Sequence, residues 1–337
     1  MTRQFPSLVY FLDPDIDDEH ITSLTQLIPA LQSGYTISIV VPHYRIPAVI
    51  HRLSDQFPTV DIIALDIDVT ASWFLRVRTL ITLFRELTVD VVHIMAHTIA
   101  TQTATLVALK IAQMPHVILS LDMVAIPTDT PTYMRLVYKM LVQIPAQIVV
   151  YSTQAKQQLV HTYALRETLV TVAPIGVDDR TYLLHKVTPT PRSAYQIPEI
   201  GYVVAVCAPC DQRYGQDLLI RAMSSIWQYH PETRLIIAGE GPQLAQLQNL
   251  AQYTSQPHYI HFVAPPDDIA AFFAGVDIVV YPARHSAMPS SLLIAMALER
   301  PVVATLIPNV QEIIEANGNG LLTPTNDADA LASAVIR

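Results

Sequence analysis

Two doubly wound parallel α/β domains in tandem are the fold class this sequence predicts. Three observations lead there. Short apolar, β-branched runs alternate with longer amphipathic ones. Each short run is apolar nearly throughout, as a parallel strand covered on both faces should be. The alternation stops once, at a proline-rich stretch, and then restarts. With 337 residues, 51% hydrophobic and 15% charged, the chain can bury two sizeable cores, and disorder or a coiled coil is excluded.

Residues 7–13, 35–42, 60–66, 89–95, 116–122, 147–152 and 169–174 read as strands. Helical periodicity fills the gaps at 19–32, 71–87, 98–113, 133–141 and 153–162. The first domain is therefore predicted over 1–185. Residues 186–200 carry three prolines and no helical period, so they read as a linker. Over 201–337, strands are predicted at 202–208, 234–239, 259–263, 277–281 and 301–305. Helices are predicted at 215–229, 242–252, 267–274, 290–298 and 310–316. Two such sheets should face a central cleft, with ligands at the carboxyl ends of their strands.

Composition narrows the function. The net charge is −9, and both halves share it: residues 1–186 carry 13 Lys+Arg against 16 Asp+Glu, and the rest carry 7 against 13. No nucleic-acid partner is expected on that balance. Of nine glycines only Gly34 precedes Gly176, so the first half holds neither a P-loop nor a glycine-rich dinucleotide fingerprint. No long apolar run reads as a transmembrane helix, the N-terminus lacks a signal-peptide core, and two cysteines make no disulfide framework. A cytoplasmic protein is expected, and the mean hydropathy of +0.33 leaves room for peripheral contact with the inner face of a membrane.

Motifs in the second half carry more. Val172-Ala-Pro-Ile-Gly-Val-Asp178 forms a turn before the linker. Leu235-Ile-Ile-Ala-Gly-Glu-Gly-Pro242 ends a strand in a loop that opens a helix. Pro289-Ser-Ser-Leu-Leu-Ile-Ala-Met-Ala297 precedes Pro301-Val-Val-Ala304, and Glu312-Ile-Ile precedes Gly318-Asn-Gly-Leu-Leu322. In this order they resemble the nucleotide-binding domain of family 4 retaining glycosyltransferases, which have two Rossmann-like domains of GT-B type. In the first half Val89-Asp-Val-Val-His93 and Val149-Val-Tyr-Ser152 are similar but less specific.

The resemblance implies transfer of a sugar from a nucleoside-diphosphate sugar to a glycan or other acceptor, with retention and without a metal or other cofactor. In the family an Arg and a Lys in a Gly-Arg-Leu-x-x-x-Lys-Gly loop neutralise the diphosphate, and two glutamates flanking the signature helix contact the donor sugar and the ribose. Here that loop is Ala208-Pro-Cys-Asp-Gln-Arg-Tyr-Gly215. Pro209 stands for the Arg, Tyr214 for the Lys, and Ser286 and Ile294 for the glutamates. Leu121 stands where the family has His, Glu299 replaces a usual glycine, and acids at 13–19 replace a Gly-Gly turn; they read as a polar loop and helix N-terminus, and in a donor site they would repel a diphosphate. The exchanged donor positions are expected to line the cleft rather than a core.

The donor-side candidates are accordingly Arg213, Gly215, Gly239, Glu240, Gly241, Ser286, Ser290 and Ser291, and the acceptor-side candidates are Asp122 and His97. Two functions stand open: a sugar-nucleotide-dependent transferase with a rebuilt site, and a non-catalytic relative that binds a glycan or an active partner subunit. Family members continue beyond the equivalent of Arg337 and cross back onto the first domain, so the usual cross-over helix is expected to be missing.

Three other features have plainer readings. Cys207-Ala-Pro-Cys210 has redox spacing, but a buried strand end and its loop would leave both thiols inert. Residues 72–87 place Trp73, Val77, Leu80, Phe84 and Leu87 on one face; this face should cover its own sheet, with an anionic membrane as the alternative. His93 and His97 are four apart, but His93 ends a strand, which favours core or loop histidines over metal ligands.

Overall fold

The computed structural model describes residues 5–12, 18–42, 53, 57–66, 71–87, 89–121, 130–174, 176–177, 181–285 and 290–337. It has two compact units, residues 1–175 and 176–337, each built on one parallel sheet.

The first sheet has seven strands: β1 (Ser7–Leu12), β2 (Thr36–Pro42), β3 (Asp61–Leu65), β4 (Val91–Ala96), β5 (His116–Leu121), β6 (Gln147–Val150) and β7 (Val170–Val172). Their order is β3-β2-β1-β4-β5-β6-β7. Right-handed crossovers then require helix α1 (Asp18–Leu31) on one face. The other face takes α2 (Trp73–Glu86), α3 (Thr103–Ala112), α4 (Thr132–Leu141) and α5 (Thr153–Tyr163). The packing agrees. Ile21, Leu24 and Ile28 of α1 share a core with Tyr10, Ile39 and Val41. Val77, Leu80 and Phe84 of α2 join Leu106, Leu109, Tyr138 and Leu159 in the core beneath the opposite face. The amphipathic face of 72–87 thus covers its sheet. Helix α5 starts where Ser152 accepts a hydrogen bond from the Ala155 amide at 3.1 Å.

The second sheet has six strands: β8 (Val203–Cys207), β9 (Arg234–Ala238), β10 (Ile260–Val263), β11 (Ile278–Tyr281), β12 (Val302–Thr305) and β13 (Leu321–Thr323), ordered β10-β9-β8-β11-β12-β13. Its helices are α6 (Gln216–Tyr229), α7 (Leu244–Gln252), α8 (Ile269–Ala274), α9 (Ser290–Ala297), α10 (Pro308–Gln311) and α11 (Ala328–Ile336). The expected helix at 310–316 is shorter and earlier, because Pro308 opens it and Glu312 already caps it.

Residues 186–200 were expected as a linker. One short 3₁₀ turn, Leu184–Lys186, leads into them and another, Arg192–Tyr195, lies within them, and the segment is anchored on the second unit. The Thr190 amide donates to the Ala271 carbonyl at 2.9 Å, Arg192 pairs with Asp277 at 2.8 Å, and Ile197 is buried. Prolines here set an extended path over a surface that the segment itself covers. The packing division therefore falls ten residues before residue 185.

Candidate functional site

Strand order reverses between β8 and β11, so the second unit's switch point lies between the loops that follow them. The loop after β8 holds the positions at issue. Asp211 accepts from the Arg213 amide at 2.9 Å and caps the short turn Gln212–Tyr214. Gly215, at φ +65°, then swings the chain into α6. Across the switch point the Arg284 amide donates to the Arg213 carbonyl at 2.7 Å.

The Gly-Glu-Gly loop sits beside it, for a backbone reason. The Cys210 amide donates to the Glu240 carbonyl at 2.8 Å, and the Gln243 amide to the Cys210 carbonyl at 2.9 Å. A Cβ on Gly239 would run into the Ala208 carbonyl, and one on Gly241 into that of Cys210. These glycines let two loops touch backbone to backbone. Glu240 is exposed between them.

Two of the exchanged positions do not line a cleft. Tyr214 is 4% exposed and packs in the core with Val206, Leu218 and Leu219; Ile294 is 1% exposed and packs with Leu292, Leu298 and Ala304. Aromatic and aliphatic side chains gain free energy by turning inward where a lysine or glutamate would keep its charge in water. Pro209 is half-buried. Ser290 and Ser291 are buried at the start of α9. Ser286 and Asp122 lie outside the described residues.

The cations at this edge are matched by carboxylates. Arg213 Nε lies 3.0 Å from Asp211 Oδ1, with the arginine side chain 34% exposed. Arg284, which the sequence reading passed over, meets Asp217 with both arms at 2.8 Å. Its Nη1 also donates to the Gln212 carbonyl at 3.0 Å. Its sequence signal was slight: a cation just past a strand's apolar run. A recess of about 500 Å³ beside it is lined by Gln212, Asp217, Arg221, Gln246, Arg284 and Asn326, among others. It includes neither Arg213 nor Gly239–Gly241, so the recess and the donor-side candidates are separate places.

Cys207 is half-buried at the end of β8 and Cys210 is fully buried, and no disulfide joins them. The Cys210 thiol donates to the Gly239 carbonyl at 3.4 Å. Burial, with the Glu240 charge adding to it, pushes its pKa up to about 11, which makes it a poor nucleophile. In the first unit His97 follows β4, one residue past the Ala96–Leu121 pairing, and is half-buried. Leu121 is buried in the main core. His93 lies inside β4 rather than at its end, with Nε2 2.7 Å from Ser120 Oγ and its ring stacked on Tyr10. Burial lowers its pKa to about 4, so it is a neutral core histidine.

Known proteins agree with this architecture. Residues 198–337 match the model "Glycosyl transferases group 1", and residues 15–161 match "Glycosyl transferase 4-like". A D-inositol 3-phosphate glycosyltransferase of Corynebacterium aurimucosum is 26% identical over 199 residues, covering 56% of this chain and 47% of that protein. An exopolysaccharide phosphotransferase of Streptomyces coelicolor is 33% identical over 123 residues, 36% of this chain and 13% of that one. The aligned stretch is less than half the length of these curated relatives. The Anabaena protein HepE, solved in complex with UDP-glucose, superposes with a TM-score of 0.77 at 18% identity, over 98% of this chain and 88% of its own. Both halves of the sequence and the two-sheet fold lead to one assignment: the chain belongs to the group 1, family 4-like glycosyltransferases.

Proposed function

We propose that this chain is a carbohydrate-binding glycosyltransferase relative that has given up tight binding of a nucleoside-diphosphate sugar. The burial of Tyr214 and Ile294 carries this reading. The two positions that would supply a diphosphate cation and a ribose acceptor are filled by core side chains. The charge balance supports it. Arg213 is paired with Asp211 and Arg284 with Asp217, so each of these cations already has a carboxylate partner where a diphosphate would need uncompensated positive charge. Departure of a nucleoside diphosphate builds further negative charge, and matched arginines are poorly placed to stabilise it.

A second reading keeps transfer, by the retaining route of the family, through a rebuilt site. The observation that favours it is the partial exposure of Arg213, whose guanidinium could leave Asp211 for a phosphate. Titration calorimetry with UDP, GDP, ADP and UDP-glucose separates the two. The first reading expects dissociation constants weaker than about 1 mM. A low-micromolar constant that Arg213→Ala abolishes would overturn it and establish the second.

A further inference from the structure

The recess of about 500 Å³ on the second unit lies apart from the donor-side candidates. Two helix faces and two loops form its walls. Asp217 and Arg221 stand one turn apart on α6. Gln246, Asn249, Leu250 and Tyr253 recur at i, i+3, i+4 and i+7 along α7 and its end. Leu247 is buried and Leu250 half-buried, which gives the recess an apolar floor. The remaining wall is fixed by Arg284. Its Nε donates to Asn326 Oδ1 at 2.5 Å, its Nη1 to the Gln212 carbonyl at 3.0 Å, and both its arms hold Asp217.

Three features distinguish these walls from an ordinary solvated groove. The first is charge. Asp217 is the only carboxylate among the lining residues, and Arg284 already holds it. Arg221 is exposed, and among the described residues it has no ion-pair partner. Its charge reaches Asp217 only through space, where it helps to lower that pKa. An uncompensated cation thus faces a recess in a chain with 20 basic against 29 acidic residues. The second is a set of carboxamides. Among the described residues the side chains of Gln243, Gln246 and Asn249 make no hydrogen bond, so both the donor and the acceptor of each stand open. The third is an aromatic ring: Tyr253, at the end of α7, is 82% exposed at the rim.

We infer that this recess binds an acidic sugar unit, with its carboxylate or phosphate on Arg221, its hydroxyls on the carboxamides and a ring face on Tyr253. Each wall selects for that class. A sugar hydroxyl both donates and accepts, and so does a carboxamide. A free guanidinium matches a carboxylate or phosphate with paired N–H groups. An exposed tyrosine covers the apolar C–H face of a sugar ring while its own hydroxyl stays in water. A purely apolar ligand would strip water from the amides and Arg221 and leave them unpaired. The volume lies in the range of small-molecule sites. The inference goes beyond the function proposed above: a transferase holding its glycan and a non-catalytic binder would use such a site alike.

Titration calorimetry of the full chain with glucuronate, glucose 1-phosphate, glucose and inorganic phosphate tests it. At least one of the two acidic sugars should bind ~tenfold or more tightly than glucose, as one charged hydrogen bond provides, and the pair shows which acid the recess takes. Inorganic phosphate should not compete. Arg221→Ala should abolish the preference for the acidic sugar, and Tyr253→Ala should weaken acidic and neutral sugars alike. Neither should shift the melt, since both side chains are exposed. Arg213→Ala should leave acidic-sugar binding unchanged, which separates the recess from the loop after β8. The inference is overturned if neither acidic sugar binds, if glucose binds as tightly as both, or if Arg221→Ala binds as the parent does. It is equally overturned if inorganic phosphate binds as tightly as the sugar phosphate, which would make the recess an anion site only. Low-micromolar UDP binding lost in Arg213→Ala would overturn the function proposed above and leave this inference standing.

Discussion

The Arg284 guanidinium holds the Asp217 carboxylate with both arms, Nη1 to Oδ1 and Nη2 to Oδ2, each at 2.8 Å. This fork ties the loop after β11 to the first turn of α6, across the switch point. Burial pushes the Asp217 pKa up, but hydrogen bonds and charge from Arg284 outweigh it and leave the pKa below the usual carboxylate value. A depressed folded-state pKa contributes stability that is complete above the unfolded value near 4 and is lost as pH falls through the folded one. Asp217→Asn should therefore cost roughly 1–3 kcal/mol at neutral pH, and less as the medium is acidified below pH ~4. Denaturant melts of parent and variant at neutral and acid pH measure both effects; equal stabilities at neutral pH would show that the fork contributes nothing.

His93 predicts a second pH dependence, in a higher window. Its folded pKa near 4 lies below the unfolded value of about 6.5, so the unfolded chain takes up the proton first. Stability is full above pH ~6.5 and falls as the pH drops toward 4, by up to ~3 kcal/mol. In His93→Gln this titration is gone, and an amide can still reach Ser120. Its stability should fall less steeply than the parent's over that window. Parallel slopes would show that the imidazole is not the responsible group.

Glu299 offers a gain rather than a loss. The Arg300 amide donates to the Ala295 carbonyl and the Glu299 amide to that of Met296, both at 3.0 Å, which is a Schellman ending to α9. Glu299 takes the left-handed conformation at φ 57°, which favours glycine. A non-glycine residue there costs about 1 kcal/mol. Glu299→Gly should raise stability by roughly 0.5–1 kcal/mol, read as a higher melting temperature. An unchanged or lower melt would mean that the glutamate side chain compensates through contacts of its own.

Much of the fold was legible because strand and helix periods are local. Twelve predicted strands fall on β1 to β12 within a few residues, since β-branched apolar runs such as Val203–Cys207 leave little alternative. Strand β13 follows Gly318 and Gly320 and is closed by Pro324, so no β-branched apolar run marks it. The site was less legible for a different reason. Alignment to a family loop says which residue occupies a position but not which way its side chain turns. Tyr214 and Ile294 turn inward because burial rewards apolar surface, a tertiary effect with no local signature. The Arg284–Asp217 fork joins residues 67 apart in sequence and was invisible for the same reason.

That difference divides the attempt to restore a charged donor site. Pro209 is half-buried and contributes mainly backbone carbonyl contacts, to Gln216 and Asp211. Pro209→Arg leaves that one carbonyl in place and adds a guanidinium at the switch point, where a diphosphate would accept two hydrogen bonds. One charged hydrogen bond is worth about 1.5–3 kcal/mol, so affinity for UDP should rise at least tenfold. Ile294→Glu should behave otherwise. A glutamate at a 1% exposed position has no partner among Leu292, Leu298 and Ala304, and an unpaired buried charge costs about 3–5 kcal/mol. The variant should melt far below the parent, or keep its carboxyl protonated, before it can accept from a ribose. Calorimetry with UDP and thermal melts on the two single variants give the answer. Tighter UDP binding by Ile294→Glu with an unchanged melt would mean that the side chain reaches the strand edge and that a ribose subsite survives there. A Pro209→Arg protein that folds cooperatively and binds no better would remove the loop after β8 from the donor site.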